Sequence, residues 1–169
     1  MTPTRSCEIY IDGASRGNPG PAGVGVVFVN GKAKVIRQFG AALGETTNNV
    51  AEYLALIYAL QEALQAGYRE VSVKTDSELL ARQINGQYKV REPHLRLFHD
   101  LAFHLIRGFH RVRLEHIPRT QNVLADRLAG CAARGQTRAS SSPGGSAACS
   151  TRRSVASESV DERSGAALF

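Results

Sequence analysis

The chain has 169 residues, of which 43% are hydrophobic, and a formal net charge of +6 at pH 7. That length suits one domain with a sizeable core, and no apolar run approaches the roughly 18 residues that suggest a membrane span. Residues 1–7 (MTPTRSC) lack a signal-peptide pattern, and Cys7, Cys131 and Cys149 are odd in number and not in metal spacing. Free thiols in a reducing compartment follow, so the expectation is a cytoplasmic protein that touches no membrane. The positive charge points weakly to a polyanionic partner. A basic surface with individually placed acids is a useful mixture: cations hold phosphates while carboxylates hold metal ions.

In chain order, Cys7–Asp12 (CEIYID) alternates as a strand, with Ile9 and Ile11 on one face and Asp12 at its end. A Gly/Asn/Pro/Ser stretch follows, Gly13–Gly25, and it raises the question of a phosphate-cradling loop. A P-loop would close on Gly-Lys-Ser/Thr, which Gly17-Asn18-Pro19-Gly20 lacks. The dinucleotide fingerprint fails too, since Gly23-x-Gly25 is followed by Val26, Val27 and Phe28. What remains is a carboxylate beside backbone that another molecule can approach closely.

Val24–Val29 is an apolar strand, Asn30-Gly31 signals a hairpin, and Lys32–Leu43 returns as a strand. Thr46-Thr47-Asn48-Asn49 offers cap chemistry for a helix that Gly67 stops. Its apolar arc holds Val50, Leu54, Ile57, Leu60 and Leu64, with Gln61 inside the arc as a misfit. Val71 and Val73 mark a strand ending at Asp76, and Ser77 caps a helix that Gly86 ends. Pro93 opens another, with Phe98, Leu101, Ala102 and Leu105 on one side. Val112 and Leu114 form a last strand, and a helix from about Gln121 closes the domain. The string is β-β-β-α-β-α-α-β-α: hairpins first, then βα units, hence an α/β fold with a mixed sheet and helices packed on it. From Gly135 to Phe169 the chain is Ser/Gly/Ala/Arg-rich, and disorder is expected there.

Four acids stand out, each with a bland reading beside the functional one. Asp12 and Asp76 end strands, where α/β sites form, but each also suits a surface acid or helix cap. Glu52 is expected in the first turn of its helix, where the dipole favours negative charge anyway. Asp126 falls roughly opposite Leu128 with small neighbours; a solvated helix acid and close approach to another element both fit, and periodicity does not decide between them. His94, His99 and His104 recur every five residues and fan around their helix, so packing or surface roles are expected rather than a metal site.

Taken together, D-G-A-S-R-G-N-P-G (Asp12–Gly20), T-T-N-N-V-A-E (Thr46–Glu52), T-D-S (Thr75–Ser77) and I-P-R-T-Q-N-V-L-A-D (Ile117–Asp126) resemble type 1 ribonuclease H. The resemblance covers about residues 6–134, giving a ribonuclease H domain at 1–134 and a low-complexity tail at 135–169. It implies a ribonuclease H-like fold, a five-stranded mixed sheet with three antiparallel strands and then two parallel ones. It also implies that Asp12, Glu52, Asp76 and Asp126 converge as catalytic and metal-binding acids. They would hold two Mg²⁺ ions, or Mn²⁺, and cut the RNA strand of an RNA–DNA hybrid to 5′-phosphate and 3′-hydroxyl ends.

By the same resemblance, Ser15, Gly17 and Asn18 belong to a loop touching the 2′-OH. Asn48 and Asn49 match minor-groove contacts, and Thr47 matches part of a DNA-phosphate pocket. No small-molecule cofactor is implied, and a monomer is expected. The segment after Gly86 is too short for the basic, tryptophan-bearing protrusion some members carry, so DNA-strand grip would rest on Lys89 and Arg91. The mobile histidine that some members place before the last acid has no match in Arg119–Asn122, and Glu78 stands where several have Gln. The alternative is a hybrid-binding module of the same fold without catalysis. A transposase or integrase domain shares the fold but lacks the T-T-N-N-x-x-E helix start.

Overall fold

Alternation along the first strands sets the layers. Strand β1 (Ser6–Ser15) turns Ile9 and Ile11 into the main core and Tyr10 to the other face. Strand β2 (Gly20–Val29) does the same with Val24, Val26 and Phe28 against Val27 and Val29. Both of its faces are covered, which is why its sequence reads as a continuous apolar run. The computed structural model describes residues 5–136 and the backbone of 138–140. Strand β3 (Val35–Thr46) completes an antiparallel meander with β1 and β2. Strand β4 (Glu70–Thr75) lies parallel to β1, and β5 (Arg111–His116) parallel to β4. Helices α1 (Asn48–Gln65), α2 (Glu78–Ile84) and α3 (Pro93–Ile106) join the main core, while α4 (Val123–Ala133) covers the opposite face.

The five expected strands form, and a sixth joins them. Strand β6 (Arg138–Ser140) pairs antiparallel with Gln38–Gly40 of β3, giving the order β5-β4-β1-β2-β3-β6. These residues fall inside the segment expected to be disordered. The open edge of β3 presents unpaired backbone groups, and extended chain of almost any composition satisfies them. The rest of that expectation, from residue 141 on, lies outside the described residues.

The glycine-rich stretch is mostly strand, not loop. Strand β1 runs on to Ser15 and β2 begins at Gly20, so only residues 16–19 connect them. Asp12 therefore sits within a strand rather than at its end. The glycines serve helix packing. A Cβ on Gly13 would lie 2.3 Å from the Ala51 carbonyl carbon of α1, and one on Gly25 2.1 Å from the Ala125 carbonyl oxygen of α4. Both approaches are closed to any larger residue.

Smaller differences have local causes. The hairpin loop spans residues 30–34, not a two-residue turn: Asn30 Oδ1 accepts from the Lys32 and Lys34 N–H groups, and Ala33 takes φ +57°. In α1 the close seam is Ala51, Ala55, Ala59 and Ala63, all buried, while Gln61 is exposed. In α3, Leu95 and Ala102 are buried and Leu101 is 45% exposed, because that helix meets α1 along an i, i+7 line that leaves Leu101 outside. Among the described residues no helix is long and apolar enough to cross a membrane.

Candidate active site

Three acids arrive at one point from three elements. Asp12 is carried by β1, Asp76 follows the last residue of the neighbouring parallel strand β4, and Glu52 comes from α1, seated on β1. Thr47 caps α1 by accepting from the Val50 N–H at 3.3 Å, which sets the rotation that brings Glu52 over Gly13. Glu52 lies beyond the first turn, so the helix dipole is not its reason for being there. Ligand oxygens of Asp12, Glu52 and Asp76 lie within 4.8 Å of one another. Asp126, in the first turn of α4, lines the same cleft of about 520 Å³ but stands outside that tight group.

The electrostatics separate the acids further. Asp12 and Glu52 are 5% and 6% exposed. Burial, then the charges of Asp76 and Asp126, push the Asp12 carboxyl up to about 8. Burial followed by the Asp12 and Asp76 charges raises Glu52 well above the usual carboxylate range, opposed by a hydrogen bond from the Gly13 backbone. Glu52 Oε2 is buried with no hydrogen-bond partner among the described residues. Asp126 is different: its side chain is 37% exposed and pairs with Arg119 Nη2 at 2.7 Å.

An all-oxygen donor set, partly buried and mutually repelling, suits a hard divalent cation. The unpartnered Glu52 oxygen fits that reading, because an orphaned buried carboxylate oxygen is costly without a positive ligand.

A family model described as reverse transcriptase-like matches residues 10–132. Ribonuclease HI of Halobacterium salinarum is 43% identical over 120 residues, which make up 71% of this chain and 60% of that protein. The crystal structure of RNase H1 from the same archaeon matches with a TM-score of 0.75 at 40% identity, covering 78% of this chain and 99% of that one. The chain belongs to the type 1 ribonuclease H family.

Another family member, LC11-RNase H1 from compost, was solved in complex with an RNA/DNA hybrid. It matches with a TM-score of 0.73 at 43% identity over 76% of this chain and 97% of that one. A bifunctional protein of Mycobacterium tuberculosis is 44% identical over 122 residues, covering 72% of this chain and 34% of that protein. The ribonuclease H chain described here thus spans three fifths of the first relative's length and about a third of the mycobacterial one's.

Around the acids, the residues that the ribonuclease H resemblance assigns to substrate divide into two groups. Ser15 and Thr47 are committed internally. Ser15 Oγ is within donating reach of Gly17 O and of Thr46 O, the latter at 2.9 Å, and the Thr47 hydroxyl caps α1. Asn18 Oδ1 accepts from the Asn48 N–H at 3.2 Å, tying the β1–β2 loop to the start of α1. Gly17, Asn18, Asn48 and Asn49 are exposed beside the cleft, and Gly17 takes φ +117°, where glycine is favoured.

Sequence reasoning passed over Arg119 and Asn122. Arg119 lines the cleft with its side chain 76% exposed. Asn122 is 1% exposed, and its Nδ2 donates to Ile11 O at 2.8 Å and to Asp76 Oδ1 at 3.1 Å. The available signal was a polar pair just ahead of an acid-bearing helix, in a stretch read chiefly for a missing histidine.

Proposed function

We propose that this protein is an endonuclease that hydrolyses the RNA strand of RNA–DNA hybrids. Asp12, Glu52, Asp76 and Asp126 would hold two divalent cations, both Mg²⁺ or, as the alternative, both Mn²⁺. The observation that carries this reading is the convergence of Asp12, Glu52 and Asp76 within 4.8 Å, with Asp126 on the same cleft. When bound there, such ions supply charge neutralisation, an activated water and stabilisation of the leaving 3′-oxygen, which yields 5′-phosphate and 3′-hydroxyl ends.

The chain's own groups do the rest. The Gly13 N–H orients the Glu52 carboxylate, and burial keeps bulk water from the Asp12–Glu52 side of the cluster. The exposed backbone at Gly17 and the amides of Asn18, Asn48 and Asn49 read the minor groove and the 2′-OH, the group that distinguishes RNA from DNA. Ser15 and Thr47 hold those readers in register from behind. Lys89 and Arg91, both exposed, meet DNA-strand phosphates.

A binding module without catalysis would gain nothing from burying Glu52 Oε2 unpartnered among other acids. The decisive assay incubates labelled RNA–DNA hybrid, double-stranded RNA and double-stranded DNA with the protein, with and without Mg²⁺. Cleavage confined to the RNA strand of the hybrid and dependent on Mg²⁺ is the expected result. Binding of hybrid without cutting at any metal concentration would replace this reading by the binding module.

A further inference from the structure

Asn122 immediately precedes α4, the position where an asparagine side chain ordinarily accepts from the first free N–H groups of the helix. It makes no such cap. Its side chain is instead buried, with one amide nitrogen spanning two partners: the Ile11 carbonyl of β1 at 2.8 Å and Asp76 Oδ1 at 3.1 Å. Its own Oδ1 is buried with no partner among the described residues. An asparagine kept only for the fold would cap the helix and satisfy both ends of its amide. This one gives up the cap and leaves an acceptor unpaired, and such local conflicts mark positions held for function.

We infer that Asn122 is the positioning residue for Asp76, fixing one carboxylate oxygen so that the acid meets Asp12 and Glu52 in a single cation site. This rests on the metal-dependent reading above. Asp76 is half-buried and follows its strand, so its carboxylate is not immobilised by packing as Asp12 is. The Ile11 carbonyl fixes the Asn122 nitrogen from the residue next to Asp12, and the second amide hydrogen transfers that position to Asp76. A single side chain thereby ties the start of α4 and both strand-borne acids into one frame.

The test follows the thermal midpoint of the protein against Mg²⁺ concentration without substrate, alongside hybrid cleavage over the same range. Asn122→Ala should require about tenfold more Mg²⁺ for half of the midpoint rise and for half-maximal cleavage, with the rate largely restored at saturating Mg²⁺. Asn85→Ala is the control: Asn85, at the end of α2, also donates to a strand backbone carbonyl, Leu114 O of β5 at 3.0 Å, but among the described residues hydrogen-bonds no acid. It should leave the Mg²⁺ dependence unchanged. In an Asp76→Asn background, adding Asn122→Ala should change that dependence no further.

Should Asn122→Ala fail to fold, the wild type carries the test. Its Asn122 side-chain amide resonances should shift as Mg²⁺ is added, and the shift should vanish in Asp76→Asn. An Asn122→Ala protein that is folded and less stable, yet has the wild-type Mg²⁺ midpoint, would overturn the inference, as would amide resonances that ignore Mg²⁺. Wild type that takes up Mg²⁺ through Asp76 without cutting hybrid would overturn only the nuclease reading.

Discussion

Two walls of one cleft treat their acids in opposite ways. On the strand side, where α1 is seated on β1, Asp12 and Glu52 are buried, share their surroundings with Asp76, and among the described residues have no basic side chain bonded to them. On the helix side, Asp126 is part-exposed and already neutralised by Arg119 at 2.7 Å. The first arrangement is unstable until a cation arrives, whereas the second is balanced without one. A buried group whose partner is missing loses far more when altered than an exposed group with an alternative partner. The strand-side acids should therefore dominate cation binding, with Asp126 adjusting it.

The largest expected effect tests that ranking directly. Asp12→Asn keeps the shape of the side chain and removes its charge, so hybrid cleavage should fall by at least about a thousandfold, in line with several kcal/mol of lost cation-borne stabilisation. Hybrid affinity and folding should change little. Asp126→Asn should cost less, roughly ten- to a hundredfold, and extra Mg²⁺ or Mn²⁺ should recover part of it. Single-turnover cleavage across a metal series measures both. Equal losses at the two positions would erase the distinction between the walls.

A second effect separates the walls by pH. Burial, then the Asp76 and Asp126 charges, push the Asp12 carboxyl from its ordinary 3.8 up to about 8. The folded state therefore holds its proton more tightly than the unfolded chain. The associated stability is complete below about pH 4 and is lost as pH rises through about 8, and Glu52 adds in the same direction. Metal-free protein should show a falling thermal midpoint between pH 5 and 8, and Mg²⁺ should raise the midpoint most at the upper end, where the acids are ready to lose protons. Asp12→Asn should flatten the fall. A midpoint that rises with pH in the metal-free protein would contradict the assigned burial.

The two walls also differed in how far the sequence disclosed them. The order of strands and helices was readable because alternation, caps and stop glycines all agreed, as at Thr47, Ser77 and Gly67. The expectation of a four-acid cluster rested on four short motifs in order, not on any one residue's pattern, and the structure brings Asp12, Glu52 and Asp76 of it together. Asp126 was ambiguous by periodicity, and the structure keeps it apart from the tight group while placing it on the shared cleft. What composition hid was the use of glycine. Gly13, Gly23 and Gly25 look like loop residues, yet each sits in a strand where a helix backbone or small side chain occupies the space of a Cβ. That contact joins residues distant in sequence, so no local window contains it. Asn122 was hidden for the same reason, since its partners lie on β1 and beyond β4.

A smaller effect distinguishes groove reading from phosphate attraction beside the acids. Asn49→Ala removes an exposed amide at the start of α1, and cleavage should fall by about one to two decades, the value of a hydrogen bond to a polar substrate group at about 1–3 kcal/mol. Its salt dependence should stay near wild type. Lys89→Ala should weaken binding to all nucleic acids modestly and reduce the salt slope by about one counterion. Rates and affinities over a salt series would reverse this assignment if Asn49→Ala flattened the slope and Lys89→Ala did not.

The smallest effect concerns the edge farthest from β5. Removing residues 137–169 deletes β6, which among the described residues pairs with β3 at Gln38, Phe39 and Gly40. Each backbone hydrogen bond is worth roughly 1 kcal/mol net, and part of that returns because the freed β3 edge is hydrated. For a domain of this size the thermal midpoint should therefore drop by a few degrees, about 2–6 °C. Strand β1 and β4, the strand that Asp76 follows, are separated from β6 by β2 and β3, and the cleft residues among those described, Asp12 to Asp126, all precede the deleted segment. Cleavage per folded molecule should accordingly stay within about twofold of the full chain, since the hydrogen bonds lost belong to the β3 edge and not to the acid-bearing elements. Differential scanning calorimetry and initial rates on the truncated protein measure the two quantities separately. A rate that collapses while the midpoint holds would mean that residues 137–169 reach the substrate, and the cleft's two walls would then have a third contributor.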